Sequence, residues 1–327
     1  MSVAMLRVSL LVAVLSAGLV LPPGPPRAAS QEQAQRPLKV QVNEVNLYAT
    51  VRDKQHRIIP DLKQEDFRIF EDNQEQKLTS FSLETNLQLT LAMLLDTSGS
   101  VQRLLGAEQE TGVRFLRRVM HKDKGDMAML ITFDLDADML ADFTEDVSVL
   151  DRAIHRARIN AAGPPVTPGT IPQRGAIGTV LYDAVYLACR EKLSSEAGRK
   201  AIILLTDAED NGSKIRLEGA IEAAQRADTV IHVLLQSDSG FGRTFGSGAG
   251  VANKMAGQTG GRMIEVSSEK KLEEAFDQIS EELRSQYRLT YTPSNPAKDG
   301  KFRRIRVETR RSDTKVLARQ GYYAPRE

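Results

Sequence analysis

The sequence predicts an α/β protein: a doubly wound, mostly parallel sheet, with a smaller β domain formed from the N- and C-terminal flanks. Three observations carry this. Between Leu87 and Leu283, short apolar runs alternate with amphipathic stretches of helical period, as when strands are buried on both faces by crossover helices. On either side of that region the period of the apolar residues falls to two. The chain is 41% hydrophobic, enough for a sizeable core, and its single cysteine, Cys189, excludes an internal disulfide framework.

Residues 1–30 stand apart. Arg7 gives a positive start, Val8 to Leu21 is mostly apolar, Pro22, Pro23, Pro25 and Pro26 break any helix, and Ala28-Ala29-Ser30 are small. That is the order of a secretory signal peptide, with a cut expected after Ser30. The apolar run is short for a membrane span of about 20 residues, and an uncleaved anchor is the alternative. No later stretch is apolar enough to span a bilayer, so the mature chain is expected to be secreted or periplasmic.

Residues 38–85 read as an N-terminal β segment. Val40 and Val42, then Val45, Leu47, Ala49 and Val51, alternate after a one-residue slip that marks a bulge, and Asp53 to Arg57 make a turn. Phe67 to Phe70 and Lys77 to Leu83 flank Glu71 to Glu75 and predict a hairpin. Residues 87–285 form the α/β domain. Strands are predicted at Leu87–Leu95, Asp126–Phe133, Ala201–Leu205, Thr229–Leu235 and Arg262–Val266. Helices are predicted at Val101–Met120, Val147–Ala157, Val180–Lys192 and Leu217–Ala227, with a short one at Ala252–Ala256 and a long one along Leu272, Phe276, Ile279 and Leu283. Cys189 falls on the core face of the third helix and reads as a buried thiol. Gly246 to Gly250 reads as a flexible loop, because no Lys-Ser/Thr follows it to make a phosphate loop. Residues 286–327 return to β, with strands at Tyr287–Tyr291, Phe302–Glu308 and Lys315–Ala318, and are expected to pair with 38–85.

Lysine plus arginine (44) nearly balance aspartate plus glutamate (43), and tryptophan is absent. A nucleic-acid binder would show a basic excess and stacking aromatics, so that class is disfavoured. The four histidines are scattered, and none sits with a Ser or Cys in a catalytic motif.

Oxygen-bearing side chains instead gather in three loops where strands end or helices begin, the place where open α/β sheets bind ligands. The first is Asp96-Thr97-Ser98-Gly99-Ser100, the second Gly178-Thr179, the third Asp207-Ala208-Glu209-Asp210. Asp96, Ser98 and Ser100 are two apart, so one turn can aim all three at a point, and carboxylate and hydroxyl oxygens suit hard cations such as Mg²⁺ or Ca²⁺ rather than Zn²⁺. Such a set leaves a six-coordinate ion short of ligands. Water or a partner's carboxylate would complete it. The bland alternative is that Asp96 or Ser100 only caps the next helix.

Together, Asp96-x-Ser98-x-Ser100, Thr179 in Gly-Thr-Val-Leu-Tyr-Asp-Ala and Asp207 in Leu-Leu-Thr-Asp resemble the metal-ion-dependent adhesion site of von Willebrand factor A (VWA) domains, over residues 87 to 285. The resemblance implies a Rossmann-like fold in which Ser98, Ser100 and Thr179 bind a divalent cation directly and Asp96 and Asp207 bind it directly or through water. Mg²⁺ is the leading ion, with Ca²⁺ or Mn²⁺ as alternatives, and the implied partner is a protein offering a Glu or Asp carboxylate. One departure is Ala208, where the family often has Gly. The flanks, from Val45-Asn46-Leu47-Tyr48 to Gly321-Tyr322-Tyr323-Ala324-Pro325, look like those of a group of bacterial secreted proteins with a central domain of this kind.

The expectation is therefore an exported, metal-dependent binding or adhesion module and not an enzyme. A metal-assisted hydrolase, with Glu209 or Asp210 as base, and an envelope component with a vestigial site are the alternatives. Asp134, Asp136, Asp138 and Glu145 mimic a calcium loop, but Met139 stands where its turn needs Gly.

Overall fold

The computed structural model describes residues 44–159, 178–236 and 247–326. The export segment, Val40 and Val42 lie outside them. Strands β1 (Val45–Arg52), β2 (Phe67–Glu71), β3 (Gln74–Gln76) and β4 (Leu78–Glu84) come first. The α/β region follows: β5 (Leu89–Asp96), α1 (Leu105–Val119), β6 (Met127–Phe133), β7 (Ala137–Thr144), α2 (Val147–Ile154), α3 (Leu181–Leu187), β8 (Arg199–Thr206), α4 (Leu217–Arg226), β9 (Thr229–Gln236), α5 (Ser247–Thr259), β10 (Met263–Val266) and α6 (Glu269–Arg284). Strands β11 (Gln286–Tyr291), β12 (Phe302–Thr309), β13 (Lys315–Ala318) and β14 (Gly321–Tyr323) end the described chain.

The central sheet has the order β10-β9-β8-β5-β6-β7, parallel except for β7. Its strands are apolar throughout because both faces are covered. Leu91, Met93 and Leu95 of β5 face the helices α1, α2 and α6, while Ala92 and Leu94 face α3, α4 and α5. On the first face the rings of Phe115 and Phe276 stack 4.6 Å apart and lock α1 to α6.

The flanks supply two antiparallel sheets, β13-β1-β11-β4 and β14-β12-β2-β3, closed over one apolar cluster that includes Leu47, Ile69, Tyr287, Leu289 and Tyr291. Strand β1 lies between β11 and β13, and β12 pairs with β2, so both ends of the chain build each sheet. The buried Glu71 carboxylate accepts hydrogen bonds from the Tyr291 (2.6 Å) and Tyr322 (3.0 Å) hydroxyls, which satisfies it inside the cluster. This β layer joins the α/β body through Arg199, whose Nε donates to Gln286 (2.8 Å) and whose guanidinium lies over the Tyr48 ring.

Four expectations are corrected. The first hairpin is β2–β3, turning at Asp72-Asn73, both left-handed (φ 46° and 68°); Leu78 to Glu84 leaves for the other sheet and pairs with β11. Helix α1 begins at Leu105 rather than Val101, after a single tight turn at Gly99–Val101. The acidic stretch after β6 is a hairpin turn, and Asp138 already belongs to the edge strand β7, which was not expected. The glycine-rich segment from Ser247 is the start of α5 rather than a loop. Cys189 is buried, as expected, in a widened turn that continues α3, and burial pushes its thiol well above the ordinary range.

Candidate metal centre

Three loops converge at the C-terminal rim of the parallel sheet. Asp96 is the last residue of β5 and is fully buried. Its Oδ1 accepts from the Ser98 backbone N–H (2.9 Å), and its Oδ2 accepts from the Thr206 hydroxyl (2.6 Å) at the end of β8. The first bond turns the chain back on itself, bringing the Ser98 and Ser100 hydroxyl oxygens within 3.0 Å of each other at the surface. The Thr206 hydroxyl in turn accepts from the Ala208 N–H (2.9 Å), so one threonine ties the Asp96 loop to the Asp207 loop.

Asp207 is partly exposed, and its Oδ1 accepts from the Glu209 N–H (3.1 Å). Ala208 holds a left-handed backbone (φ 58°), the conformation for which Gly is usual, at a cost of about 1 kcal/mol. Its buried methyl packs in the cluster beneath α3 and α4, which offsets part of that cost. The Thr179 loop docks on the same segment: the Thr179 carbonyl accepts from Asn211 N–H (3.2 Å) and Gly212 N–H (3.1 Å). Two glycines make this approach feasible, since a Cβ on Gly178 would lie 2.6 Å from the Asn211 backbone and one on Gly212 2.7 Å from the Gly178 carbonyl oxygen. Gly248 seats α5 on the other side, where a Cβ would lie 2.2 Å from the Asp207 carbonyl oxygen.

Burial pushes the Asp96 carboxyl up to about 6, and the negative charge of Asp207 pushes the same way, while hydrogen bonds from Ser98 and Thr206 oppose the rise. Among the described residues neither Asp96 nor Asp207 has a Lys or Arg ion pair. Two carboxylates that repel each other, two paired hydroxyls and a threonine loop make an all-oxygen donor set whose charge a dication would balance, so the residues fit a hard cation. Among the described residues no three His, Cys, Asp or Glu side chains are placed so that they could hold a metal ion between them, so a cation here would depend on hydroxyls as well as carboxylates.

Of the five residues singled out in the sequence, Asp96, Ser98 and Ser100 come together in one turn, Asp207 lies within electrostatic reach of Asp96, and Thr179 sits in the loop bonded to Asn211 and Gly212. Sequence reasoning missed Glu108. It lies on the buried face of α1, 1% exposed, where Gln236 Nε2 donates to its Oε1 while Oε2 has no partner. Burial, and next the nearby Asp96 charge, push its carboxyl up to about 8. The signal was present: Glu108 is a carboxylate on the apolar stripe Leu105, Gly112, Phe115 and Val119. Asp210, a nominee for general base, accepts from the Tyr182 N–H (3.0 Å) and the Ser213 hydroxyl (2.5 Å), tying its carboxylate to the first turn of α3.

No family model and no curated protein matches the sequence. Solved structures do. The vWF domain of the type V pili tip protein Mfa5 from Porphyromonas gingivalis is 15% identical, over 60% of this chain and 95% of that one, with a TM-score of 0.44. A von Willebrand factor type A structure from Catenulispora acidiphila is 11% identical, over 80% of this chain and 74% of that one, with a TM-score of 0.46. Proximal thread matrix protein 1 from the mussel byssus, whose MIDAS motif holds zinc, is 16% identical, over 65% of this chain and 50% of that one, with a TM-score of 0.49. The solved structures that this chain is similar to include von Willebrand factor A-type domains, and at these identities the likeness is one of fold.

Proposed function

We propose that this protein is a protein-binding module, acting outside the cytoplasm, that holds a divalent cation and through it grips a carboxylate on its partner. The observation that carries this is the turn at the end of β5, where the Asp96 bond to Ser98 N–H gathers two hydroxyls beside the Asp207 and Thr179 loops. Ser98, Ser100 and Thr179 would hold the ion directly, with Asp96 and Asp207 supplying charge directly or through water. The cation supplies a strong local positive field on the exposed rim, which favours an acidic side chain from outside. Mg²⁺ is the expected ion, because the donors are all hard oxygens. Of the two bases nominated for a hydrolase, Asp210 is bonded into the first turn of α3.

The test has two arms. Calorimetric titration of chelator-treated protein with Mg²⁺ should show one site in wild type and none in Asp96→Ala. Capture of a native partner should fall by roughly 2 to 5 kcal/mol in binding free energy when the metal or the partner's bridging carboxylate is removed. Circular dichroism should show both forms folded, because the oxygens lie at the sheet's rim. Equal capture by wild type, Asp96→Ala and chelated protein, all folded, would refute the reading.

A further inference from the structure

A cavity of about 720 Å³ lies away from the metal-site rim, against the N-terminal end of β10. Its walls are the turn after β1, the end of α5 with Gly260 to Met263, and the segment from Ser312 through β13. A volume of this size suits a small molecule.

The wall carries unbalanced charge. Arg52 and Arg262 both bond the single buried carboxylate of Glu282, so the two guanidiniums share one ion-pair partner. Arg52 is 3% exposed, yet its Nε has no hydrogen-bond partner. That N–H is closed off inside the wall, so any contact of Arg52 with a bound molecule would have to come through its other nitrogens or its charge. Burial, opposed by Glu282 and reinforced by Arg262, holds the Arg52 guanidinium below its usual range, as expected where cations crowd.

Lys54 and Lys315 line the same cavity, and among the described residues neither is bonded to a carboxylate. Asp53 also lines it but is spent on the Arg57 guanidinium (2.7 Å) and on the Gln55 and Arg57 N–H groups. Asp313 is the remaining acid of the wall. The lining residues thus carry four cations, Arg52, Lys54, Arg262 and Lys315, against two carboxylates, Asp53 and Asp313, an excess of two, while Glu282 and Glu281 act on Arg52 from outside that lining. His56 adds a strained backbone (φ 66°), held in place because its carbonyl accepts from Arg52 Nη1 (2.6 Å). Strain that the surroundings impose on a cavity-lining residue is characteristic of ligand sites. The Ser312 hydroxyl adds a neutral donor, while that of Thr314 is already donated to the Arg311 carbonyl (2.8 Å).

We propose that this cavity binds a small molecule carrying a phosphate group. An excess of two positive charges matches a dianion better than a single carboxylate, and the mix of ammonium, guanidinium and hydroxyl donors can serve several oxygens at once. The site is independent of the metal reading and lies against the opposite end of the parallel strands.

The experiment uses the full chain, freed of metal with chelator and then desalted, titrated with inorganic phosphate, glycerol 3-phosphate and acetate and followed by calorimetry. Phosphate and glycerol 3-phosphate should bind saturably, and acetate at least roughly tenfold more weakly. The double variant Lys54→Glu, Lys315→Glu exchanges two exposed cations and should weaken phosphate by roughly tenfold or more, with an unchanged melting curve. Asp96→Ala should bind phosphate as wild type does. The proposal is overturned if phosphate does not bind, if acetate binds as well, if the double variant binds as wild type does, or if Asp96→Ala alone abolishes binding.

Discussion

Two buried side chains give stability opposite dependences on pH. The Glu108 carboxyl titrates near 8 in the fold, against an ordinary 4.5. A carboxyl raised in this way is protonated when folded, so its contribution is intact below 4.5 and is lost as pH rises toward 8. The loss is on the order of 3 kcal/mol by pH 7. Glu108→Gln keeps an oxygen to accept from Gln236 and has no proton to lose, so urea unfolding should be flatter from pH 5 to 8 in the variant. His232 acts the other way. Fully buried with neither ring nitrogen bonded, it is pushed down to about 3, first by burial and then by Arg199, Arg262 and Arg52. Glu282 also faces it, with 3.7 Å between Nδ1 and Oε2. Its neutral ring supports the fold above 6.5, and that support is lost as pH falls, by about 2 kcal/mol at pH 5. His232→Leu should lose correspondingly less stability between pH 7 and pH 5; an unchanged acid limb would show that His232 is not the group titrating. Glu108 could be singled out as a carboxylate on an apolar helix stripe, but the size of neither effect was legible, because each depends on residues brought from afar: the burial and the Asp96 charge around Glu108, and Arg199, Arg262 and Arg52 around His232. Asp96, Ser98 and Ser100 were legible because their chemistry is local, two residues apart on one turn.

At the level of elements, the strands buried on both faces announced themselves as unbroken apolar runs, and β5, β6, β8 and β9 stand within one or two residues of their expected limits. Edge elements did not. Strand β7 is half-exposed, carries Asp138 and Asp142, and shows register shifts against β6, so its sequence lacks clean alternation. Strand β14 has three residues, too few to show a period. The change of partner by β4 was hidden because its neighbour β11 is more than two hundred residues away. That pairing makes a sharp prediction. Removing residues 286–327 strips β1 of the partners on both its sides, β4 of β11, and β2 of β12. What remains is the two-strand hairpin β2–β3 and the unpaired strands β1 and β4, with half an apolar cluster, and such remnants do not hold. Limited proteolysis of the truncated chain should therefore cut between Val45 and Glu84 while leaving the α/β body intact. Protection of that segment would show that the N-terminal strands stand alone.

Across the whole molecule, the α/β body is an insertion between strands of the β layer. Its entry and exit are neighbours: the Arg284 guanidinium donates to the Leu87 carbonyl (3.0 Å) and bonds Asp126, while Glu84 pairs with Gln286. The two proposed sites use this architecture differently, one at the rim where the parallel strands end and one where the β layer meets β10 and α5. The nested connectivity also sets an order in time. During synthesis β1 to β4 emerge first, yet β1 cannot be paired on either side until β11 and β13 have been made. Closing a loop of that length at random would cost about 5 kcal/mol of chain entropy. A body that folds on its own as it emerges removes most of this cost, because folding it brings Glu84 and Gln286 together. The first strands translated are then the last to settle, and the α/β body serves as the template on which the ends of the chain find each other.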